Sequence, residues 1–560
     1  MNKSTKKKLL LPLLLFSLFT IFADIVSAQS EDILLSKTIS ELESTAVKAY
    51  QNGKYQKSIS IWSNILKHQK ISPSTKAEIY CHIAATYRKI GMTSKAISYW
   101  QNAISIYRDS KKSESLRLLT TVLLDKAQGH NALGQIQYSR PLLEEAISIA
   151  TLETFTELEA VGYQALGNAR VIGGNWELAI SDYSKSFSTA EKLNDTKLMV
   201  VALNNLSNTF DLKYQQLIYQ TNFAKESGSI ETEKLFQQSS QMAKKAWNNA
   251  KKAVNKSESK QTLFAVEAKL HLLKLYQIYS KAGLVENIPS EKYINSTKET
   301  LLLLPNSQRK TQALIELAKL QQNDVTTLNL ALEIAEKIGH LRTQSLALGH
   351  LGSFYEQKQN YHKALELSYQ ARQVAKQAHA TDILYQWDWQ VGRILSHLNK
   401  DEDAQFAYQQ SINSLQLIRN QISATGNSKS QIDFQLKVEP VYRELMKLLL
   451  KKNSGDSLKQ TLEIKQLLQL SELENFFGED CIIVRENMLP INSASNNTAI
   501  LHTIILNQNT YLILKLPNGK LKKFLLPISS TKIAQLIEQW RYDLENQENE
   551  RYLQLSQQLY

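Results

Sequence analysis

Cysteine is almost missing from this chain: only Cys81 and Cys481 are present, 400 positions apart. Two such residues cannot form a disulfide framework. They read as separate, partly buried thiols, with pairing in an oxidising compartment left open. Glycine (18) and proline (9) are scarce in 560 residues, while Leu, Ala, Gln, Lys and Glu crowd most of the sequence. That balance argues against a turn-rich β fold and favours helices. There is no CxxC, no HExxH and no Cys/His cluster, so no metal site is expected. Neither GxSxG, nor a P-loop, nor a dinucleotide fingerprint occurs, so no catalytic residue and no cofactor are assigned from motifs.

A charge-free run long enough to span a membrane is also lacking at the N-terminus. Lys3, Lys6, Lys7 and Lys8 precede an uncharged, mostly apolar stretch, Leu9 to Ala23, which Asp24 ends after 15 residues. A spanning helix needs ~20. With small residues at Val26-Ser27-Ala28, residues 1–28 read as a secretory signal peptide, with export to periplasm or medium and no membrane contact after cleavage. Removing four lysines and one aspartate with it lowers the net charge from +13 to about +10. The densest basic patch places Lys244/Lys245 and Lys251/Lys252 on one helical face without interleaved aromatics. A solvated face is the reading, and no nucleic acid is expected.

A repeat fills most of what remains. NGKYQKSI, IGMTSKAI, LGQIQYS and GGNWELAI set Gly53, Gly91, Gly134 and Gly174 at spacings of 38, 43 and 40. Small residues (Ala46, Ala84, Ala127, Gly167) lie before each turn, and others (Ser58, Ala96, Ser139, Ala179) after it. Bulky Trp62, Trp100, Leu143 and Tyr183 follow one helical turn later. Small residues let antiparallel helices approach, and bulky ones lock the next layer. The unit is a helical hairpin, and eight or nine are expected between about residues 35 and 420. The pattern blurs from Leu212 to Ile288, where Leu212 to Phe236 reads as an insertion ahead of the second helix.

ALGNARVIGGNWELAISDYSKS (165–186), LGHLGSFYEQKQNYHKALELSYQA (348–371) and YQWDWQVGRILSHLNKDEDAQFAYQQS (385–411) resemble the tetratricopeptide repeat. The period here exceeds the usual ~34. The resemblance implies an all-α solenoid over 29–421, a right-handed superhelix whose first helices line a concave face for a peptide or protein ligand. Carried over residue by residue, the groove positions are Asn168, Val171, Ile172, Asn208, Ser353, Glu356, Gln357, Arg393 and Ser396. An asparagine there offers donor and acceptor to any extended backbone.

ISATGNSKSQ (422–431) breaks the periodicity and opens a helical connector to 475, with Pro440 near a helix start or kink. AILHTIIL, TYLILKL and LKKFLLP (499–527) then read as strands, with PNG as a hairpin turn and an antiparallel meander as the result. Ser529, Ser530 or Thr531 caps a following helix that keeps Ile533, Leu536, Ile537 and Trp540 on one face. VEPVYREL, then LQLSELENFFGEDC, then the meander and helix resemble the entry to a CHAT module, the caspase-like α/β domain that follows tetratricopeptide arrays in many bacteria, cyanobacteria among them. The resemblance implies a histidine and a later cysteine beyond the meander, outside this sequence. Cys481 and His502 stand in the reverse order, and nothing predicts the contact that a dyad needs. Residues 476–560 therefore read as the first part of such a module, without catalysis. Three readings follow: a binding scaffold, the recognition arm of a CHAT peptidase whose separately encoded catalytic fragment is its partner, and a protein held to acidic surfaces by its charge.

Overall fold

A computed structural model describes residues 29–51, 54–68, 71–109, 112–226, 231–322, 324–423, 434–452, 454–477, 498–506, 508–546 and 551–559. The signal-peptide segment, Gly53, most of the 422–431 linker and Cys481 lie outside them.

Helices come in antiparallel pairs. The first four are α1 (Gln29–Gln51) with α2 (Tyr55–Ile65), α3 (Pro73–Lys89) with α4 (Thr93–Arg108), α5 (Ser113–Ala132) with α6 (Ile136–Leu152), and α7 (Thr156–Ile172) with α8 (Trp176–Lys192). Then follow α9 (Thr196–Glu226) with α10 (Thr232–Ser257), α11 (Leu263–Tyr279) with α12 (Ser290–Leu303), and α13 (Gln308–Leu320) with α14 (Val325–Lys337). The last are α15 (Leu341–Gln357) with α16 (Tyr361–Gln377) and α17 (Thr381–His397) with α18 (Asp401–Ser423), making nine hairpins among the described residues.

The periodic small and bulky positions form the core that the spacing predicts. Ala46, Ala84, Ala127, Ser58, Ala96, Ser139 and Ala179 are fully buried, as are Trp100 and Leu143 within 1%. A Cβ on Gly167 would stand 2.6 Å from the Tyr183 ring, so only glycine allows that helix contact. Turns need a left-handed residue after the first helix. Gly91, Gly134 and Gly174 supply it, and Gln322, Gln359 and Asn399 adopt it in later repeats. That replacement of glycine is why the later repeats are harder to read from their turns.

The stretch expected as an insertion is instead helical on both sides of residues 227–230, which lie outside the described residues: α9 has 31 residues and α10 has 26. Gln, Lys and Leu are good helix formers, and no glycine or proline interrupts residues 212–226. The extra length makes the fifth hairpin longer than its neighbours.

Past the solenoid, a π-helical turn (Phe434–Val438) runs into α19 (Glu439–Lys451), with Pro440 in its first turn, and α20 spans Gly455–Phe477. Proline is tolerated there because the first N–H groups have no intrahelical partner. The meander forms as expected: β1 (Ile500–Ile505), β2 (Thr510–Lys515) and β3 (Leu521–Leu526) pair antiparallel in the order β1-β2-β3. Gly519 at φ 78° makes the β2–β3 turn. Ser529 caps α21 (Ser530–Asn546) by accepting from the Lys532 N–H at 3.2 Å. The expected apolar face of α21 is only partly covered: Ile537 stays 43% exposed, and Trp540 donates to Ser556 of α22 (Arg551–Leu559).

The sheet is not a separate body. Ile504, Leu506 and Ile513 share one core with Tyr442, Leu445 and Leu449 of α19, Leu462 and Leu468 of α20, and Tyr408 of α18. Lys523 Nζ donates to the carbonyls of Leu450 (2.7 Å) and Lys452 (3.4 Å), closing the C-terminal end of α19.

Candidate functional site

Successive first helices touch one another, α5 with α7, α11 with α13, α13 with α15 and α15 with α17, whereas consecutive second helices do not meet to a comparable extent. Elements that crowd lie on the inside of a curved stack, so the odd-numbered helices form the inner face.

The sequence-derived groove residues fall into distinct environments. Asn168 and Asn208 are exposed on α7 and α9. Asn168 Oδ1 accepts the Tyr183 hydroxyl at 2.6 Å, which fixes its amide plane and leaves the NH₂ group outward. Val171 packs against the cluster of Ala179, Tyr183 and Leu206, and Ile172 beside it is half-buried. On α15, Ser353 and Glu356 are half-buried and Gln357 is exposed, while Arg393 and Ser396 of α17 are half-buried. Glu356 and Arg393 are brought together: Arg393 Nε and Nη2 donate to Glu356 Oε1 and Oε2 at 2.9 and 3.0 Å. The pair spans two hairpins and neutralises both charges.

A row of amides joins them that the motif match does not include. Gln128 and Asn131 on α5, Gln164 with Asn168 on α7, and Asn204 with Asn208 on α9 stand three or four residues apart, on one face of each helix. Asn131 Nδ2 reaches Ala165 O at 3.5 Å, but Asn131 Oδ1, Gln164 Nε2 and Asn204 Oδ1 are buried with no hydrogen-bond partner. Native structures rarely leave such atoms unpaired. The spacing around Asn168 and Asn208, read one turn backward, would have found them.

Toward the N-terminal end the inner face turns acidic. Burial raises the Glu43 and Glu78 carboxyls, and Glu43 adds repulsion at Glu78. Burial pushes Asp125 up to about 6 against the pull of Arg88, which stands 3.9 Å away. Cys81, half-buried beside them, has its thiol pushed far up by burial and then by Asp125 and Glu78. A thiol so disfavoured as thiolate is a poor nucleophile. His502 lies on β1, half-buried, with its imidazole pKa lowered by burial and then by Lys465 and Lys515.

At the opposite end the inner face continues past the repeats. Trp389 of α17 lies 4.5 Å beneath the Arg393 guanidinium and donates its indole N–H to Glu444 of α19 at 2.8 Å. Beyond Glu444 is a cavity of about 440 Å³ between α19 and the β1–β2 turn. Glu439, Pro440, Arg443, Glu444 and Lys447 form the helix wall; Leu506, Gln508, Asn509 and Tyr511 form the turn wall. No group of three or more His, Cys, Asp or Glu side chains among the described residues could hold a metal ion. No described helix is long and apolar enough to cross a membrane.

Nine hairpins with crowded first helices define a helical-hairpin solenoid. Residues 77–110, which overlap α3 and α4, match the tetratricopeptide repeat family model, and the neighbouring hairpins share the build of that one. The match covers that one hairpin, so the chain carries a tetratricopeptide repeat there. It is similar to a Rap protein complexed with competence and sporulation factor (14% identity, TM-score 0.38, 62% of this chain and 88% of that one). It is also similar to a signal-transduction ATPase with a tetratricopeptide-repeat sensor from Pyrococcus horikoshii (13% identity, TM-score 0.39, 75% and 55%). A third likeness is the Rap conjugation gene regulator of plasmid pLS20 in complex with the Phr* peptide (16% identity, TM-score 0.33, 56% and 78%). No curated protein matches the chain.

Proposed function

We propose that this protein is a protein–protein interaction scaffold that holds extended segments of its partners along the inner face of the solenoid. The observation that carries the reading is the amide row on α5, α7 and α9, in which outward Asn168 and Asn208 adjoin buried amide atoms that lack partners. A peptide backbone presents alternating N–H and C=O groups, the complement such amides need whatever the side chains. The reading assigns the scaffold no catalytic residue, and the raised thiol pKa of the buried Cys81 accords with that.

The finer reading makes the C-terminal part the start of a CHAT module and the solenoid its recognition arm. Its support is the resemblance of VEPVYREL and LQLSELENFFGEDC, together with a meander and helix in the implied order. Export by residues 1–28 belongs to the same proposal, and the intact mass of the protein from its native locus tests it: a retained Met1–Ala28 segment would refute cleavage.

Binding is tested by selecting dodecapeptides from a random library on the immobilised full chain and titrating them by fluorescence anisotropy. Asn168→Ala/Asn208→Ala is expected to weaken selected peptides about tenfold or more. Peptides indifferent to those changes but sensitive to substitutions on the second helices would overturn the reading.

A further inference from the structure

The cavity between α19 and the β1–β2 turn lies outside the repeats, and its hydrogen-bonding capacity is unbalanced. Each carboxylate in it already accepts at least one hydrogen bond. Glu444 accepts from the Trp389 indole and is hydrogen-bonded by the Tyr408 hydroxyl. Glu439 is paired with Arg443, one helical turn away. The donors are not used up. Arg443 spends Nε on Glu439 and Nη1 on the Ile505 carbonyl, leaving Nη2 without a partner among the described residues. Lys447, four residues further on the same face of α19, is exposed and has no hydrogen-bond or ion-pair partner among them. The Tyr511 hydroxyl and the Gln508 and Asn509 amides add donors from the opposite wall.

A cavity with unspent donors takes an acceptor-rich anion. Formal charge selects which kind. Among the lining residues Arg443 and Lys447 balance Glu439 and Glu444, and Glu472, outside the lining, has its carboxyl raised by burial and then by Glu439, against the pull of Arg443. A monoanion is tolerated there far better than a phosphate dianion. Leu506, Pro440 and Tyr511 add apolar surface to the two walls for the carbon stem that carries the charge. We propose that this cavity is a binding site for a carboxylate carried by a peptide, with Lys447 and Arg443 Nη2 as its donors. The Trp389–Glu444 hydrogen bond joins the cavity to the last first helix of the groove, so a peptide along the inner face would deliver the carboxylate there. That delivery rests on the scaffold reading; the cavity's chemistry does not.

Three fluorescein-labelled probes test it on the full chain: penta-alanine with a free carboxyl terminus, its C-terminal amide, and an amidated form with glutamate at the centre. The free acid is expected to bind about tenfold tighter than the amide, and Lys447→Gln, at an exposed position, is expected to erase the difference. Equal binding of acid and amide, no binding of either, displacement of the acid by equimolar inorganic phosphate, or a gap that persists in Lys447→Gln would each overturn the proposal. Tight binding of the glutamate-bearing amide would place the carboxylate on a side chain; its failure would place it at the terminus. Penta-alanine is too short to need the amide row, so Asn168→Ala/Asn208→Ala should leave it unchanged. Loss of dodecapeptide binding with retained penta-alanine acid binding would then sink the groove reading and keep the cavity.

Discussion

Arg393 of α17 grips Glu356 of α15 with two hydrogen bonds at 2.9 and 3.0 Å while its guanidinium lies 4.5 Å above the Trp389 ring. The carboxylate is 15% and the guanidinium 26% exposed, so water screens the pair only in part. Removing one partner strands the other. Arg393→Ala is expected to destabilise the chain by about 2 kcal/mol, below the 3–5 of a fully buried pair. In a double-mutant cycle with Glu356→Gln, urea unfolding should show a coupling of about 1 kcal/mol or more. Strict additivity would mean that the contact is not a link between the eighth and ninth hairpins.

Helix contacts closed by glycine make a sharper test. A Cβ on Gly349 would lie 2.3 Å from the Trp387 ring, and that ring is itself held by the bond from its Nε1 to Ser345 Oγ at 2.9 Å. Neither side can yield cheaply. Gly349→Ala should cost about 1–3 kcal/mol. Gly455→Ala, where nothing lies within 4 Å, should be neutral or slightly stabilising. Equal melting temperatures for the two variants would contradict the packing described.

Those positions also mark what could be read from the residues alone. Gly167, Tyr183 and the alanines before each turn recur because every hairpin solves the same packing problem, so eight or nine hairpins and their core were within reach of periodicity, and nine form among the described residues. The lengthened fifth hairpin was not, since Gln- and Lys-rich helix carries no turn signal and looks like an insertion. Asn168 and Asn208 were legible through their repeat position, yet Val171 at a matching position packs into a cluster, because face and exposure diverge where neighbouring helices crowd. The end cavity was out of reach: Arg443 meets the Ile505 carbonyl across 62 residues, and no local pattern encodes that meeting.

Acid should reveal two histidines. Burial lowers His271 and His350 from 6.5 to about 4, His271 with its Nε2 2.8 Å from Ser207 Oγ and His350 edge-on to Trp387. The unfolded chain protonates these rings near 6.5 and the folded chain only near 4. Their contribution is complete above 6.5 and is lost as pH falls toward 4. Asp125, raised to about 6, acts with the opposite sign, binding a proton in the folded state first and favouring it as pH falls from 6 toward 3.8. The wild-type profile alone is therefore ambiguous. The difference between wild type and His271→Gln/His350→Gln isolates the imidazoles, and it should swing against the wild type by up to about 2.7 kcal/mol per pH unit between 6.5 and 4. A difference independent of pH would mean that the rings charge freely in the fold.

The sheet should prove inseparable from the solenoid. If the repeats alone were the working part, removing the C-terminal segment would leave their stability untouched, yet Ile504, Leu506 and Ile513 are 3%, 7% and 0% exposed in the core that holds Leu445 and Leu462. Each fully buried aliphatic side chain contributes about 1.5–3 kcal/mol. Deleting residues 498–560 also frees the Leu450 carbonyl that Lys523 holds at 2.7 Å. The truncated chain should unfold at lower urea, bind a hydrophobic dye, and lose amide protection first in α19 and α20. Lys523→Met separates the two causes: it keeps the apolar core and removes only the donor, so it should cost about 1 kcal/mol without dye binding. Unchanged protection in α19 and α20 after the deletion would mean that the ninth hairpin, and not the sheet, ends the cooperative unit.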